Sequence, residues 1–288
     1  MRSRRGSILL DIESLGSSSE PSDLGWVGTD EKSVMAYLHA VGDELPLYQE
    51  LGLTPPLYTV ALALGRILQR TTLPPGAIHS LQEFDLLEPV PLGREVGVSA
   101  WLERQRARGG LRFLSFGLRA EDRAGSQVMG IRTTLLIPEP REQQETATAS
   151  TGGAAGEPVE AAEGDLPRLC RWITQGQLEE YSQVSGDYNP LHLDPEFAAG
   201  TQFGGIIAQG MLTLAFVSEM LASSLGESWL SSGSLRARFK GAAYPGDLLE
   251  TWGVESRKDG QSPGYVIGIR NSVTGEDLVT GTAMVGKI

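Results

Sequence analysis

The stretch AYLHAVGDELPLY at 36–48 aligns without a gap on EYSQVSGDYNPLH at 180–192, 144 residues later. Tyr37 meets Tyr181, Gly42 meets Gly186, Asp43 meets Asp187, and Pro46-Leu47 meets Pro190-Leu191. The likeness continues downstream. TPPLYTVALALGRIL (54–68) has the apolar helical character of AQGMLTLAFVSEML (208–221), and SLQEFDLLEPVPLGREV (80–96) parallels SLRARFKGAAYPGDLL (234–249). Self-similarity over such a span means that one supersecondary unit is used twice, so whatever fold the second copy takes the first must also take. The segment between the copies, PEPREQQETATASTGGAAGEPVEAAEGD at 138–165, has almost no large apolar residue and reads as a solvated linker. The organisation expected is an N-terminal extension at 1–30, a first copy at 31–138, a linker at 139–165 and a second copy at 166–288.

Each copy reads as helix first and strands after. In the second, Thr174 can N-cap a helix running to about Val184, with Leu178 and Tyr181 on one face. The turn SGDYNPLHLD follows, and FGGIIAQG leads into MLTLAFVSEMLASSL, which is hydrophobic nearly all round and predicts a buried central helix. Three β-forming stretches come next: SLRARFKGAAY, DLLETWGVESRKD, and the pair SPGYVIGIRNS and DLVTGTAMVGKI joined by the turn Val273–Glu276. That order predicts an α+β unit, one long helix lying against an antiparallel sheet.

Composition removes several classes of function. A net charge of −12 disfavours nucleic-acid binding, because phosphate neutralisation needs a basic surface. No apolar run reaches the roughly 20 residues that span a bilayer, and the N-terminus lacks a signal-peptide core, so a cytoplasmic location is expected. The single cysteine, Cys170, permits neither an internal disulfide nor a cysteine metal cluster, and reads as a small half-buried residue. His39, His79 and His192 form no metal-binding pair, nucleotide fingerprints are missing, and no cofactor or metal is expected.

The repeat fails where the chemistry would be. Asn189 is replaced by Leu45 and His192 by Tyr48, so only the second copy keeps an acid, an amide and an imidazole in six positions. Such a cluster is compatible with a plain Asx-turn. It is also suited to general acid–base work, because Asp187 and His192, spaced by a proline-constrained turn, can aim at one water. Asn189 would orient one of them or hold the turn closed. At the start of the buried helix, Gly210 offers a bare backbone N–H for an oxyanion. Arg236, Arg238 and Lys240 alternate along a strand and share a face that could either hold phosphates or simply be solvated. His39 and His79 have no matching partners and read as structural.

The segment YSQVSGDYNPLHLDPEFA…FGGIIAQGM with RFKGAAYPGD resembles the MaoC-like dehydratases, the (R)-specific enoyl-CoA hydratases of hot-dog fold, through the motif D-x-N-P-x-H. The likeness covers most of 166–288 and is fainter in the first half. It departs where the family often carries P-I-x-H-G, since this chain has Gly205 and Gln209 there. The resemblance implies two fused hot-dog domains forming a pseudo-dimer within one chain, with a possible homodimer beyond it. It implies hydration of a 2-enoyl thioester, or the reverse dehydration, by Asp187 and His192, with Asn189 and Gly210 in support. The thioester of coenzyme A or an acyl carrier would be the substrate, with short branched or dicarboxylic acyl groups such as mesaconyl-CoA left open. A thioesterase on the same fold and a non-enzymatic acyl-thioester-binding protein are the alternatives.

Overall fold

The computed structural model describes residues 15–71, 77–138, 165–256 and 264–286. In the first half β1 (Ser22–Gly28) precedes helices α1 (Glu31–Val41), α2 (Leu47–Leu51) and α3 (Pro56–Arg70). Strands β2 (Ile78–Leu86), β3 (Glu95–Arg108), β4 (Leu111–Glu121) and β5 (Gln127–Pro138) follow. The second half repeats the order: β6 (Cys170–Trp172), α4 (Gln175–Ser185), α5 (Pro190–Leu193), α6 (Pro195–Ala199), α7 (Gly210–Leu225), α8 (Glu227–Ser232), β7 (Ser234–Phe239), β8 (Leu248–Ser256), β9 (Gly264–Asn271) and β10 (Asp277–Met284).

All ten strands join one antiparallel sheet in the order β1-β3-β4-β5-β2-β7-β10-β9-β8-β6. Read from its centre, this order is the same in both directions. The halves meet at the β2–β7 pair, where Leu81 faces Arg238 and Phe84 faces Leu235. The duplication reaches single contacts: a Cβ at Gly117 would lie 2.3 Å from the Trp101 ring, and one at Gly268 would lie 2.4 Å from Trp252. In each half a tryptophan lies flat across the glycine of the neighbouring strand.

Local chemistry sets the helix limits. Asp30 and Thr174 accept from the backbone N–H groups of Ser33 and Gln177, and Gly42 and Gly186 end the two helices with φ of 74° and 78°. Only glycine takes that left-handed conformation cheaply. The central helices α3 and α7 pack side by side under the sheet, and every residue of α7 from Met211 to Ala222 is buried, as its uniform hydrophobicity predicts.

Three expectations are corrected. Residues 1–30 are not all extension, because Ser22–Gly28 forms β1 at one edge of the sheet, paired with β3 around a bulge near Gly25. Its counterpart is the three-residue β6 at the opposite edge. Cys170 lies on that edge and is exposed, not half-buried. The β stretch SLRARFKGAAY ends as a strand at Phe239, so Lys240 leaves the ladder. The linker at 139–165 lies outside the described residues except for Asp165. No helix among the described residues is long and apolar enough to cross a membrane.

Candidate active site

The turn after α4 is built by its own side chains. Asn189 caps α5 by accepting from the Leu191 N–H at 3.1 Å, and Pro190 occupies the first helical position, where a missing N–H costs nothing. Oδ1 of Asp187 accepts from the Asn189 N–H at 3.2 Å, leaving Oδ2 free. His192, on the short helix that follows, is buried, and its Nδ1 bonds the carbonyl of Ile207 at 2.8 Å. A carbonyl only accepts, so Nδ1 carries a proton and donates, which leaves Nε2 as the ring atom turned toward Asp187. That Nε2 stands 3.9 Å from Oδ2 of Asp187. The gap is too long for a direct hydrogen bond and suits a shared water. The Asn189 side chain therefore holds the turn, and only its backbone bonds Asp187 and His192.

Asp187, Asn189 and His192 line one pocket together with Gly210, Met211 and Thr213 from the first turn of α7. Among the described residues no group accepts from the Gly210 or Met211 N–H, so the positive end of the buried helix faces the cavity. A Cβ at Gly210 would lie 2.9 Å from the ring of Phe239, another lining residue, so this position has no space for a larger side chain. Gln209 turns away: its Nε2 bonds the Leu178 carbonyl and Ser182 Oγ, tying α7 to α4.

The rest of the wall comes from both halves. Leu191, Ile207, Leu278 and Val279 belong to the second, whereas Leu64, Leu68, Ala77, Ile78, His79 and Leu135 belong to the first. The approach of α3 depends on Gly65, where a Cβ would fall 1.9 Å from the carbonyl oxygen of Ser185, at the end of α4. His79, read from sequence as structural, lies on the pocket wall with its ring 4.6 Å from that of Phe239. Burial lowers its pKa to about 4, so it is neutral at pH 7. A bulge between His79 and Leu81 sets its direction, which simple alternation along the strand does not foresee.

The three basic candidates separate. Lys240 lines the pocket, whereas Arg236 and Arg238 point outward from β7, and Arg236 pairs with Glu83 at 3.0 Å. His39 lies on the surface, 4.0 Å from Glu180.

The corresponding turn in the first half is occupied by its own groups. Tyr48 Oη donates to Oδ2 of Asp43 at 2.5 Å, and Oδ1 accepts from the Leu45 N–H. Burial raises the Asp43 carboxyl above its ordinary range, against the pull of the Tyr48 and Leu45 hydrogen bonds and of Arg171. Arg171 in turn bonds Glu219 of α7 at 2.5 Å and the carbonyl of Gly42. Burial, with the Asp43 charge adding, lifts Glu219 to about 7. Neither Arg171 nor Glu219 stands out in the sequence, except that Glu219 is the lone acid in an apolar helix.

Comparison with known proteins agrees with this fold. Residues 157–275 match the family model described as a MaoC like domain. The chain is 27% identical over 290 residues to 3-hydroxyacyl-thioester dehydratase Y of Mycobacterium tuberculosis, covering 94% of both chains. It is 26% identical over 268 residues to enoyl-CoA hydratase ChsH3 of the same organism, covering 88% of this chain and 91% of the other. A solved MaoC-like dehydratase superposes with a TM-score of 0.73 at 19% identity, covering 95% of this chain and 99% of that one. A conserved Mycobacterium tuberculosis protein described as a double hot-dog fold superposes with a TM-score of 0.62 at 11% identity, covering 94% and 96%. With an acid–imidazole turn facing a two-sided pocket inside one palindromic sheet, residues 157–275 are a MaoC-like domain, and the chain as a whole has the double hot-dog fold and is similar to the hydro-lyases of that kind.

Proposed function

We propose that the protein adds water reversibly to a 2-enoyl thioester, forming the 3-hydroxyacyl thioester, with the (R) configuration that the family resemblance implies. The observation that carries this reading is the 3.9 Å space between Asp187 Oδ2 and His192 Nε2, opening on the bare N-terminus of α7. A water in that space donates one hydrogen to each acceptor and turns its lone pairs toward the cavity. As its oxygen attacks Cβ, Nε2 takes a proton, and Asp187 stabilises the imidazolium. Negative charge grows on the thioester oxygen, where the Gly210 amide and the helix dipole meet it. The proton then passes from the pair to Cα, which completes the addition and restores neutral His192.

The acyl group lies among Leu64, Leu68, Leu135 and Met211, which favours an apolar chain over a dicarboxylic one such as mesaconyl. The first half thus supplies shape and the second supplies chemistry. Incubating the protein with a panel of enoyl-CoA thioesters tests the reading: loss of the conjugated thioester absorbance without release of free thiol supports hydration, and thiol release would move the assignment to a thioesterase. Chiral analysis of the product checks the (R) assignment, which an (S) product would reject.

A further inference from the structure

We propose that Gln209 is a positioning residue: its side-chain amide fixes the segment that steers His192 and Gly210 against the helix that leads to Asp187, and so sets the space in which the water is activated. The inference rests on the hydration reading above. Asp187 follows α4, whose last turn closes where the Gly186 N–H bonds the Ser182 carbonyl. The other two groups depend on residues 207–210. The Ile207 carbonyl holds the His192 ring at 2.8 Å, and Gly210 opens α7 at the pocket. Gln209 lies between them in the chain, is 1% exposed, and reaches back to α4: its Nε2 bonds the Leu178 carbonyl at 3.1 Å and Ser182 Oγ at 2.8 Å.

This arrangement is not one that stability favours. Gln209 stands at the N-cap of α7, yet its side chain caps nothing there. A carbonyl only accepts, and Ser182 Oγ already donates to the same Leu178 carbonyl at 2.9 Å, so both partners need Nε2 as donor and the amide cannot be turned over. Its Oε1 is left buried, and among the described residues no donor reaches it. An acceptor withdrawn from water without a partner destabilises the folded state, and an apolar side chain of similar shape would not. A buried orphan of this kind calls for a reason other than packing.

The first half supplies that reason by contrast. Its central helix α3 has Pro55 at the N-cap, where α7 has Gln209, and the repeat sets Leu38 opposite Ser182. Neither side chain can hydrogen-bond. The amide tie is therefore missing from the half whose turn is closed by Tyr48 and present in the half whose turn stays open. Gln209 and Ser182 differ between the copies together with Asn189 and His192, as parts of one working arrangement would. Without the tie, residues 207–210 could shift against α4, and both the His192–Asp187 gap and the Gly210 amide would move with them.

The test is Gln209→Leu in the full chain, which keeps the bulk and removes the amide. Hydration of an enoyl-CoA should lose about 10–100-fold in kcat, with KM within about 3-fold of wild type. The melting temperature should equal or exceed that of wild type, because the orphaned acceptor is gone. Ser182→Ala should lower kcat less, and the double variant should be no slower than Gln209→Leu alone, since both changes break one tie. Gln209→His, which restores a donor at this place, should recover part of the lost kcat. Wild-type kcat in Gln209→Leu, or a loss of kcat that accompanies a fall in melting temperature, would overturn the proposal. A substrate-free measurement separates it from the hydration reading: in NMR spectra of the full chain, Gln209→Leu should move the His192 ring and Asp187 amide resonances. If they move while wild type hydrates no thioester, the tie stands and the catalytic reading is rejected. If they stay in place, Gln209 positions nothing.

Discussion

The two turns share an aspartate at the same place in the same fold, and differ in what stands opposite it. Opposite Asp43 is a phenol that has closed the gap, with Tyr48 Oη at 2.5 Å. Opposite Asp187 is an imidazole held back at 3.9 Å by its bond to Ile207. The Asp43 carboxylate is buried against its phenol with no gap between them, whereas Asp187 and its imidazole stand far enough apart to share a water. On the proposed mechanism, reactivity in this fold follows from a space kept free between two acceptors, and the aspartate alone does not confer it.

The comparison is broken most directly in the second half. Asp187→Asn or His192→Ala should lower turnover by on the order of 10²–10⁴ with little change in melting temperature. Steady-state kinetics on a confirmed substrate checks this, and retained activity in either variant removes the acid–base pair from the mechanism.

The buried cluster that joins the closed Asp43 turn to α7 should show its charge in stability instead. Glu219 is held at about 7 by burial, above the ordinary glutamate value, so its contribution to stability is complete in acid and is lost as pH rises through 7. His79, held at about 4, acts with the opposite sign below its ordinary 6.5. The informative quantity is thus the difference between wild type and Glu219→Gln, in which the His79 contribution cancels. Wild type should lose about 1–3 kcal/mol relative to the variant between about pH 5 and 8. Parallel pH profiles in chemical denaturation would show that the Asp43–Arg171–Glu219 cluster does not titrate there.

A smaller effect sharpens the pocket side. Gly210→Ala must push the Phe239 ring off its 2.9 Å approach, and should cost roughly 10-fold in kcat while the amide is retained. Unchanged kinetics would place the oxyanion elsewhere. The smallest effect is expected at the closed turn: Asp43→Asn and Tyr48→Phe should leave turnover within about a few-fold of wild type, because neither group reaches the pocket. A loss at Asp43 equal to that at Asp187 would mean that both turns work.

What the sequence revealed was local. The alignment of GDELPLY with GDYNPLH depends on residues a few positions apart, so the turns, their preceding helices and the buried helix α7 could be read directly. The pocket wall was not legible in the same way. Leu64, Leu68 and Leu135 look like any core leucine, and become pocket wall only because the packing of α3 on α4 and the strand register bring the first half against a turn more than fifty residues away along the chain. Edge strands β1 and β6 escaped notice because a glycine bulge interrupts one and three residues make up the other. The shared face assigned to Arg236, Arg238 and Lys240 assumed unbroken alternation, which fails where the strand ends at Phe239.

The seam between β2 and β7 also bears on how the chain is made. β2 ends at Leu86 and its partner begins at Ser234, so during synthesis one side of β2 has no strand to pair with until roughly 150 further residues emerge. At ribosomal speeds of about 5–20 residues per second that wait lasts on the order of 10–30 s, long compared with the folding of a helix or hairpin. An unpaired strand edge invites pairing with a neighbouring nascent chain. Glu83 and Asp85, which alternate along β2, put negative charge beside that edge during the interval, with Arg132 of β5 reaching Glu83 first and Arg236 joining it when β7 arrives. The residues that settle the finished seam thus also guard it while it is incomplete.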